Sequence, residues 1–217
     1  MDDHFSRFEY VLFDLDGTLT ASGPGIIHSF EYMLDTLGIA YLEDMSCLIG
    51  PPLEESMEQF FGLTGDDKTE AIRIYRERYN SVGWNDNSLY DGIEEMLRSH
   101  KDNGMKLAVA TSKPELMSER IISYFGISEF FDTICGSVPG ERHTKSDVIA
   151  EVFSRLKIND RSKVLMVGDR KQDIEGAHKM GISAMGVLYG YGSREEFERA
   201  GADFIAETPA DVKAWNL

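Results

Sequence analysis

Short apolar runs separated by helical periodicities constrain this sequence more than any other feature. The first, Tyr10-Val11-Leu12-Phe13, ends abruptly at Asp14. The others are Lys106 to Ala110, a run around Thr133-Ile134-Cys135, Val164 to Val167, Ile182 to Leu188, and Phe204 to Ala206. Between them apolar residues recur at helical spacing: Ile93, Met96 and Leu97; Met117, Ile121, Tyr124 and Phe125; Val148, Ile149, Val152 and Leu156. Strands that are apolar throughout, alternating with helices, predict a parallel sheet covered on both faces. The expected fold is therefore α/β, a doubly wound, Rossmann-like parallel sheet.

Residues 20–88 break that rhythm. Ile26, Ile27, Phe30, Leu34 and Leu37 follow helical spacing up to a stop at Gly38. A second helix begins after Pro51-Pro52 (Leu53, Met57, Phe60, Phe61), and Ala71, Tyr75, Tyr79 and Val82 mark a third. With no strand-like run among them, these residues read as a small α-helical unit inserted into the sheet. Residues 1–19 and 89–217 would form the core domain, and residues 20–88 the insertion.

The polar residues fall where such a sheet binds ligands. Asp14 and Asp16, Thr111 and Ser112, and Gly168-Asp169 each stand at the carboxyl end of an expected strand, the edge that lines the crevice of an open parallel sheet. In Asp14-Leu15-Asp16-Gly17-Thr18, Asp14 would be about 99.9% ionised at neutral pH and is a ready nucleophile. Asp16 could protonate a leaving oxygen and later deprotonate water, and Gly17 permits a sharp turn beside a phosphate. A strand-end turn is the plainer reading of that motif taken alone. Gly168-Asp169-Arg170-Lys171-Gln172-Asp173 adds a second carboxylate pair across a strand–helix junction, a donor set suited to Mg²⁺, although Asp169 or Asp173 could also cap the helix. Thr111 and Ser112 offer hydroxyl and N–H donors for phosphate oxygens, or another helix cap. Lys145 would open a helix, an unfavourable place for a cation. That points to a phosphate counter-charge, for which Arg142 and Arg170 are rivals.

Charge narrows the ligands. The 217 residues include 38 acidic and 22 basic ones, a formal net charge of −16. That balance disfavours nucleic acid and anionic membranes as partners, so an anionic substrate needs positive charge built into its site. No stretch has the length of a membrane span, and the acidic start of the chain does not read as a signal peptide. Cys47 and Cys135 share no metal-type spacing and read as reduced core thiols of a cytoplasmic protein. The expected partner is a small phosphorylated metabolite, bound by a monomer or weak homodimer.

These motifs, in order, resemble those of the haloacid dehalogenase (HAD) superfamily of phosphatases: DLDGT at Asp14 to Thr18, ATS at Thr111, Lys145, and GDRKQD at Asp169 and Asp173. The resemblance spans nearly the whole chain. It implies that Asp14 is the nucleophile, Asp16 the general acid and base, and Thr111 and Lys145 phosphate ligands. Mg²⁺ would sit on Asp14, the Asp16 backbone carbonyl and Asp169, with Asp173 as an outer or minor ligand. Residues 20–88 are similar to the helical cap that these enzymes carry between their first and second motifs. LYDGIEEML, KLAVATSKPE, VGDRKQDIEGA and GVLYGYGS look like the phosphoglycolate phosphatase group, although Ala21 stands where many members have an acidic residue.

The alternatives are separable. Dehalogenases of the superfamily lack the second aspartate, present here as Asp16. A phosphonatase needs a cap lysine, and Lys68 lies in the polar run GDDKTE. A β-phosphoglucomutase-like isomerase carries a histidine shortly after its first motif; Ile26 stands at that position and His28 two residues beyond. A non-catalytic, aspartate-phosphorylated switch would lack the helical insertion. Selectivity is expected from Ile49-Gly50-Pro51-Pro52, where Gly50 precedes a helix start whose N–H donors suit a polar leaving group; a simple helix-start turn explains the same residues.

Overall fold

The computed structural model describes residues 8–214. The start of the chain read above for a signal peptide falls largely on residues 1–7, which lie outside the described residues, as do 215–217.

Among the described residues six strands form one parallel sheet: β1 (Tyr10–Phe13), β2 (Lys106–Pro114), β3 (Thr133–Ser137), β4 (Val164–Gly168), β5 (Ser183–Val187) and β6 (Phe204–Ala206). Their order is β3-β2-β1-β4-β5-β6, the doubly wound arrangement expected from the alternation. Helices α4 (Ile93–Asp102), α5 (Glu115–Tyr124), α6 (Lys145–Leu156), α7 (Lys171–Lys179), α8 (Arg194–Ala200) and α9 (Pro209–Ala214) accompany it. Two apolar clusters, one on each face, explain the unbroken strand runs. Val11, Phe13, Leu107, Val109, Leu165 and Val167 pack with α4 and α5, whereas Leu12, Ala108, Ala110, Val164 and Met166 pack with α6 and α7.

Strand β2 outlasts its apolar run. It continues through Thr111 and Ser112 to Pro114, with a register shift against β3 between Ala110 and Pro114. Helix α5 then starts at Glu115, after Pro114. Thr111 is thus a strand residue, and the helix-cap explanation for it falls away.

Residues 20–88 hold three helices, α1 (Gly23–Leu37), α2 (Leu53–Phe61) and α3 (Gly65–Ser81), around an apolar cluster of their own that includes Phe30, Met33, Leu34, Met57, Tyr75 and Tyr79. The chain leaves and re-enters the sheet side by side: Thr20 bridges Leu89, and the Ala21 N–H donates to the Ser88 carbonyl at 2.8 Å. Cys135 is buried in β3, whereas Cys47 is only half-buried, in a short 3-10 turn at Met45–Leu48. Among the described residues no helix is long and apolar enough to cross a membrane.

One core residue carries a pH signature. His100 on α4 is 1% exposed, lies against the Phe13 ring with centroids 6.2 Å apart, and its Nε2 has no hydrogen-bond partner among the described residues. Burial pushes its pKa down to about 4. Below pH 6.5 the unfolded chain takes up a proton that the folded chain refuses. His100 therefore makes folding progressively less stable as pH falls from 6.5 toward 4, by about 2 to 3 kcal/mol in all. Urea unfolding of wild type and His100→Leu at pH 7.5 and pH 5 checks this: the stability gap should move in favour of the variant at the lower pH.

Candidate active site

Strand order places the ends of β2, β1 and β4 next to one another, and the winding reverses beside β1. Asp14 follows β1 directly. Its N–H donates to the Val167 carbonyl at 2.9 Å, and the Leu15 N–H donates to its Oδ1 at 2.8 Å, so both backbone and carboxylate are fixed. Asp169 follows β4 and is fully buried. Its Oδ1 accepts from the Thr18 hydroxyl at 3.2 Å and its Oδ2 from the Tyr191 N–H at 2.9 Å. Gly17 makes that approach feasible: its φ is +80°, and a Cβ there would lie 2.1 Å from Asp169 Oδ2. Asp173, in the first turn of α7, accepts from the Arg170 N–H at 3.1 Å, so it does help to cap its helix.

Lys145 stands in the first turn of α6, whose start is set by a reciprocal capping box between Thr144 and Asp147. Its ammonium lies 3.1 Å from Asp14 Oδ1 and 2.7 Å from Asp173 Oδ1, and donates to the Ala110 carbonyl at 3.0 Å. Burial disfavours this charge, but Asp14 and Asp173 outweigh it and hold the pKa above the ordinary lysine value. Those carboxylates offset the unfavourable helix dipole. The rival cations are spent elsewhere: Arg142 pairs with Glu115 at 2.7 Å, and Arg170 pairs with Glu196 at 3.2 Å and donates to the Ile49 carbonyl.

Asp14, Asp169 and Asp173 each offer a carboxylate oxygen, and these oxygens lie within 4.8 Å of one another. Burial, reinforced by repulsion from Asp173 and Asp14, raises the Asp169 pKa well above the usual carboxylate range. Burial also raises that of Asp173, with Lys145 pulling against it. Three carboxylates facing one ammonium leave negative charge uncompensated in a dry site. A divalent cation with a preference for hard oxygen ligands fits that donor set.

The Asp16 carboxylate is not part of this cluster. It turns the other way, and its Oδ2 lies 2.5 Å from the ammonium of Lys113, a residue that sequence reasoning missed. Asp16 pulls the Lys113 pKa above its ordinary value against an opposing effect of burial. Thr111 is buried, its hydroxyl accepting from the Lys113 N–H at 3.3 Å, and Ser112 beside it is half-buried.

Gly50 belongs to a loop that touches this region from the helical side. Its φ is +106°, and a Cβ there would sit 2.6 Å from Arg170 Cγ, the same arginine that binds the Ile49 carbonyl. Helix α2 starts at Leu53, but Glu54 and Glu55 already occupy its first turn and meet its positive dipole end. His28 lies on the exposed side of α1, its Nδ1 2.7 Å from Asp86.

Comparison with known proteins agrees with this architecture. Residues 11–187 match the family model described as haloacid dehalogenase-like hydrolase. A Mycobacterium tuberculosis protein named tyrosine-protein kinase PtkA is 41% identical over 207 residues, 94% of this chain and 67% of that protein. A Pseudomonas aeruginosa 5'-nucleotidase is 37% identical over 199 residues, 90% of each chain. A Vibrio parahaemolyticus phosphoglycolate phosphatase is 26% identical over 213 residues, 93% of each chain. The crystal structure of a predicted phosphatase from Clostridium acetobutylicum superposes with a TM-score of 0.89 at 41% identity, covering 95% of this chain and 96% of that one. Matched over most of its length and carrying the acidic strand-end cluster, this chain belongs to the haloacid dehalogenase-like hydrolase family, among its phosphatases.

Proposed function

We propose that this protein hydrolyses small phosphate monoesters in two steps, with the phosphoryl group carried in between on Asp14. The observation that carries the reading is the burial of Asp14 beside Lys145 at the converging strand ends. Leu15 N–H and Lys145 both engage Oδ1 of Asp14, which leaves Oδ2 to attack phosphorus. Lys145 and Thr111, with Ser112 adjoining, hold the phosphoryl oxygens. Asp16 gives a proton to the departing oxygen, and then takes one from the water that releases phosphate. Asp14, the Asp16 backbone carbonyl and Asp169 would hold Mg²⁺, with Asp173 beside them. When bound, the ion would neutralise the crowded carboxylates and the phosphate they face. The substrate is a small phosphorylated metabolite of the phosphoglycolate, nucleotide or sugar phosphate kind, taken up by a monomer or weak homodimer in the cytoplasm.

We assign residues 1–19 and 89–217 to the catalytic core and residues 20–88 to a helical cap that closes over the leaving group. The exposed placement of His28, paired with Asp86, favours hydrolysis over a mutase reaction. A screen of phosphate esters with Mg²⁺, with acid quench to trap phosphate on Asp14, tests the reading. Turnover without an acid-stable phosphoenzyme, or only with Asp14 unlabelled, overturns it.

Gly50 links cap to core in this scheme. Gly50→Val should displace the loop from Arg170 and strain a backbone at φ +106°, costing about 1 to 3 kcal/mol of stability. It should also shift the relative kcat/KM values of small esters by roughly tenfold. Ratios unchanged in an active variant would remove Gly50 from the selectivity apparatus.

A further inference from the structure

We infer that Lys113 is a specificity-determining residue, and that its ammonium receives an anionic group on the leaving portion of the substrate. The inference rests on the phosphatase reading above, and it begins from where this lysine stands. Lys113 extends from the end of β2, and its side chain is only 7% exposed. The ammonium is wedged between two units of the fold: Asp16 Oδ2 lies 2.5 Å away on the core side, and the face of the Tyr79 ring, on α3, has its centre 4.7 Å away on the helical side.

The other cations of the region are committed. Lys145 is held on the phosphoryl side by Asp14, Asp173 and the Ala110 carbonyl. Arg170 is engaged by Glu196 and Ile49, and Arg142 by Glu115 and Glu151. Among the described residues Lys113 has one carboxylate partner, and that partner is the residue assigned to the departing oxygen. The second oxygen of Asp16, Oδ1, is buried without a hydrogen-bond partner among the described residues.

The position follows from bond lengths. Asp16 must come within about 2.8 Å of the departing oxygen to give it a proton. A cation already on Asp16 then stands within roughly 5 Å of that oxygen when one carboxylate oxygen serves both, and within about 7.5 Å when Oδ1 serves the substrate. A carboxylate or second phosphate one or two carbons beyond the ester oxygen reaches that distance; a bulky neutral group gains nothing there. Burying an ammonium is unfavourable unless its charge is met from several sides, and a substrate anion would add a second partner to the one that Asp16 provides. Because Tyr79 lies on the insertion, the same contact places the anion at the seam between cap and core.

The test compares 2-phosphoglycolate with 2-hydroxyethyl phosphate, esters of equal length with a charged and a neutral end, in wild type, Lys113→Met and Lys113→Arg. p-Nitrophenyl phosphate serves as a control, and Mg²⁺ is present throughout. Wild type should favour the charged ester in kcat/KM by about tenfold or more, the worth of a charge-assisted hydrogen bond. Lys113→Met should bring the ratio to within about twofold of unity, chiefly through KM of the charged ester, and Lys113→Arg should restore most of it. If wild type hydrolyses p-nitrophenyl phosphate but shows no preference, the inference is overturned whatever the variants do. It is equally overturned if Lys113→Met slows both esters alike, since Lys113 then acts only through Asp16. If wild type hydrolyses none of the three, the phosphatase reading fails and takes this inference with it.

Discussion

Asp14→Asn should lose at least about a thousandfold in kcat, or more than 4 kcal/mol of barrier, while folding at least as firmly as wild type. The first half follows from chemistry, because an amide keeps the shape of the carboxylate but cannot form the acyl phosphate. The second follows from the crowding of the site. Asp14, Asp169 and Asp173 press their carboxylates within 4.8 Å of one another, with one lysine between Asp14 and Asp173. Removing one negative charge from that group relieves repulsion at Asp169 and Asp173. Melting curves recorded without metal should therefore place the variant level with or above wild type. A variant that keeps a tenth of wild-type kcat would rule out Asp14 as the nucleophile.

Mg²⁺ should stabilise the folded chain, and chelation should abolish turnover. The stabilisation arises because the carboxylates converge only in the folded state, so that the ion binds the native form and not the unfolded chain. At a hundred times its dissociation constant the gain is about 2.7 kcal/mol, which for a chain of this size raises Tm by several degrees. Asp169→Asn should lose most of that rise as well as most of the activity, since Asp169 sits at the end of β4 with no access to water. Mg²⁺ titrations followed by differential scanning fluorimetry give the shift without reference to catalysis. Undiminished turnover in excess chelator, or an equal rise in the variant, would exclude this metal site.

The sheet was legible because its central strands are apolar runs buried on both faces, and because Asp14 and Asp169 each mark a strand end with a charge that the interior would not otherwise hold. Residues 20–88 show the opposite pattern, helical spacing without such a run, and α1, α2 and α3 lie there. What escaped notice depends on contacts that no local pattern encodes. Lys113 and Asp16 are 97 residues apart, and a lysine after a strand looks like an ordinary solvated one until α3 covers it with Tyr79. The extension of β2 to Pro114 depends on its register with β3, which lies beyond the reach of hydrophobic periodicity. Helix α8 has seven residues and buries only Phe197, too little to leave a periodic signal. Cys47 was read as core because cysteine usually is; its place in a turn of the insertion leaves it half-covered.

The paired crossings at Thr20–Leu89 and Ala21–Ser88 bear on how such a molecule diversifies. An inserted segment whose two ends emerge at neighbouring points imposes almost no geometric demand on its host: any excursion that returns to the same spot will do, whatever its length. Meanwhile the alignment of β1 with β2 and β4 is secured by their own ladders. Mutation, recombination or design can thus rewrite the excursion wholesale while the strand ends that precede Asp14 and Asp169 keep their places.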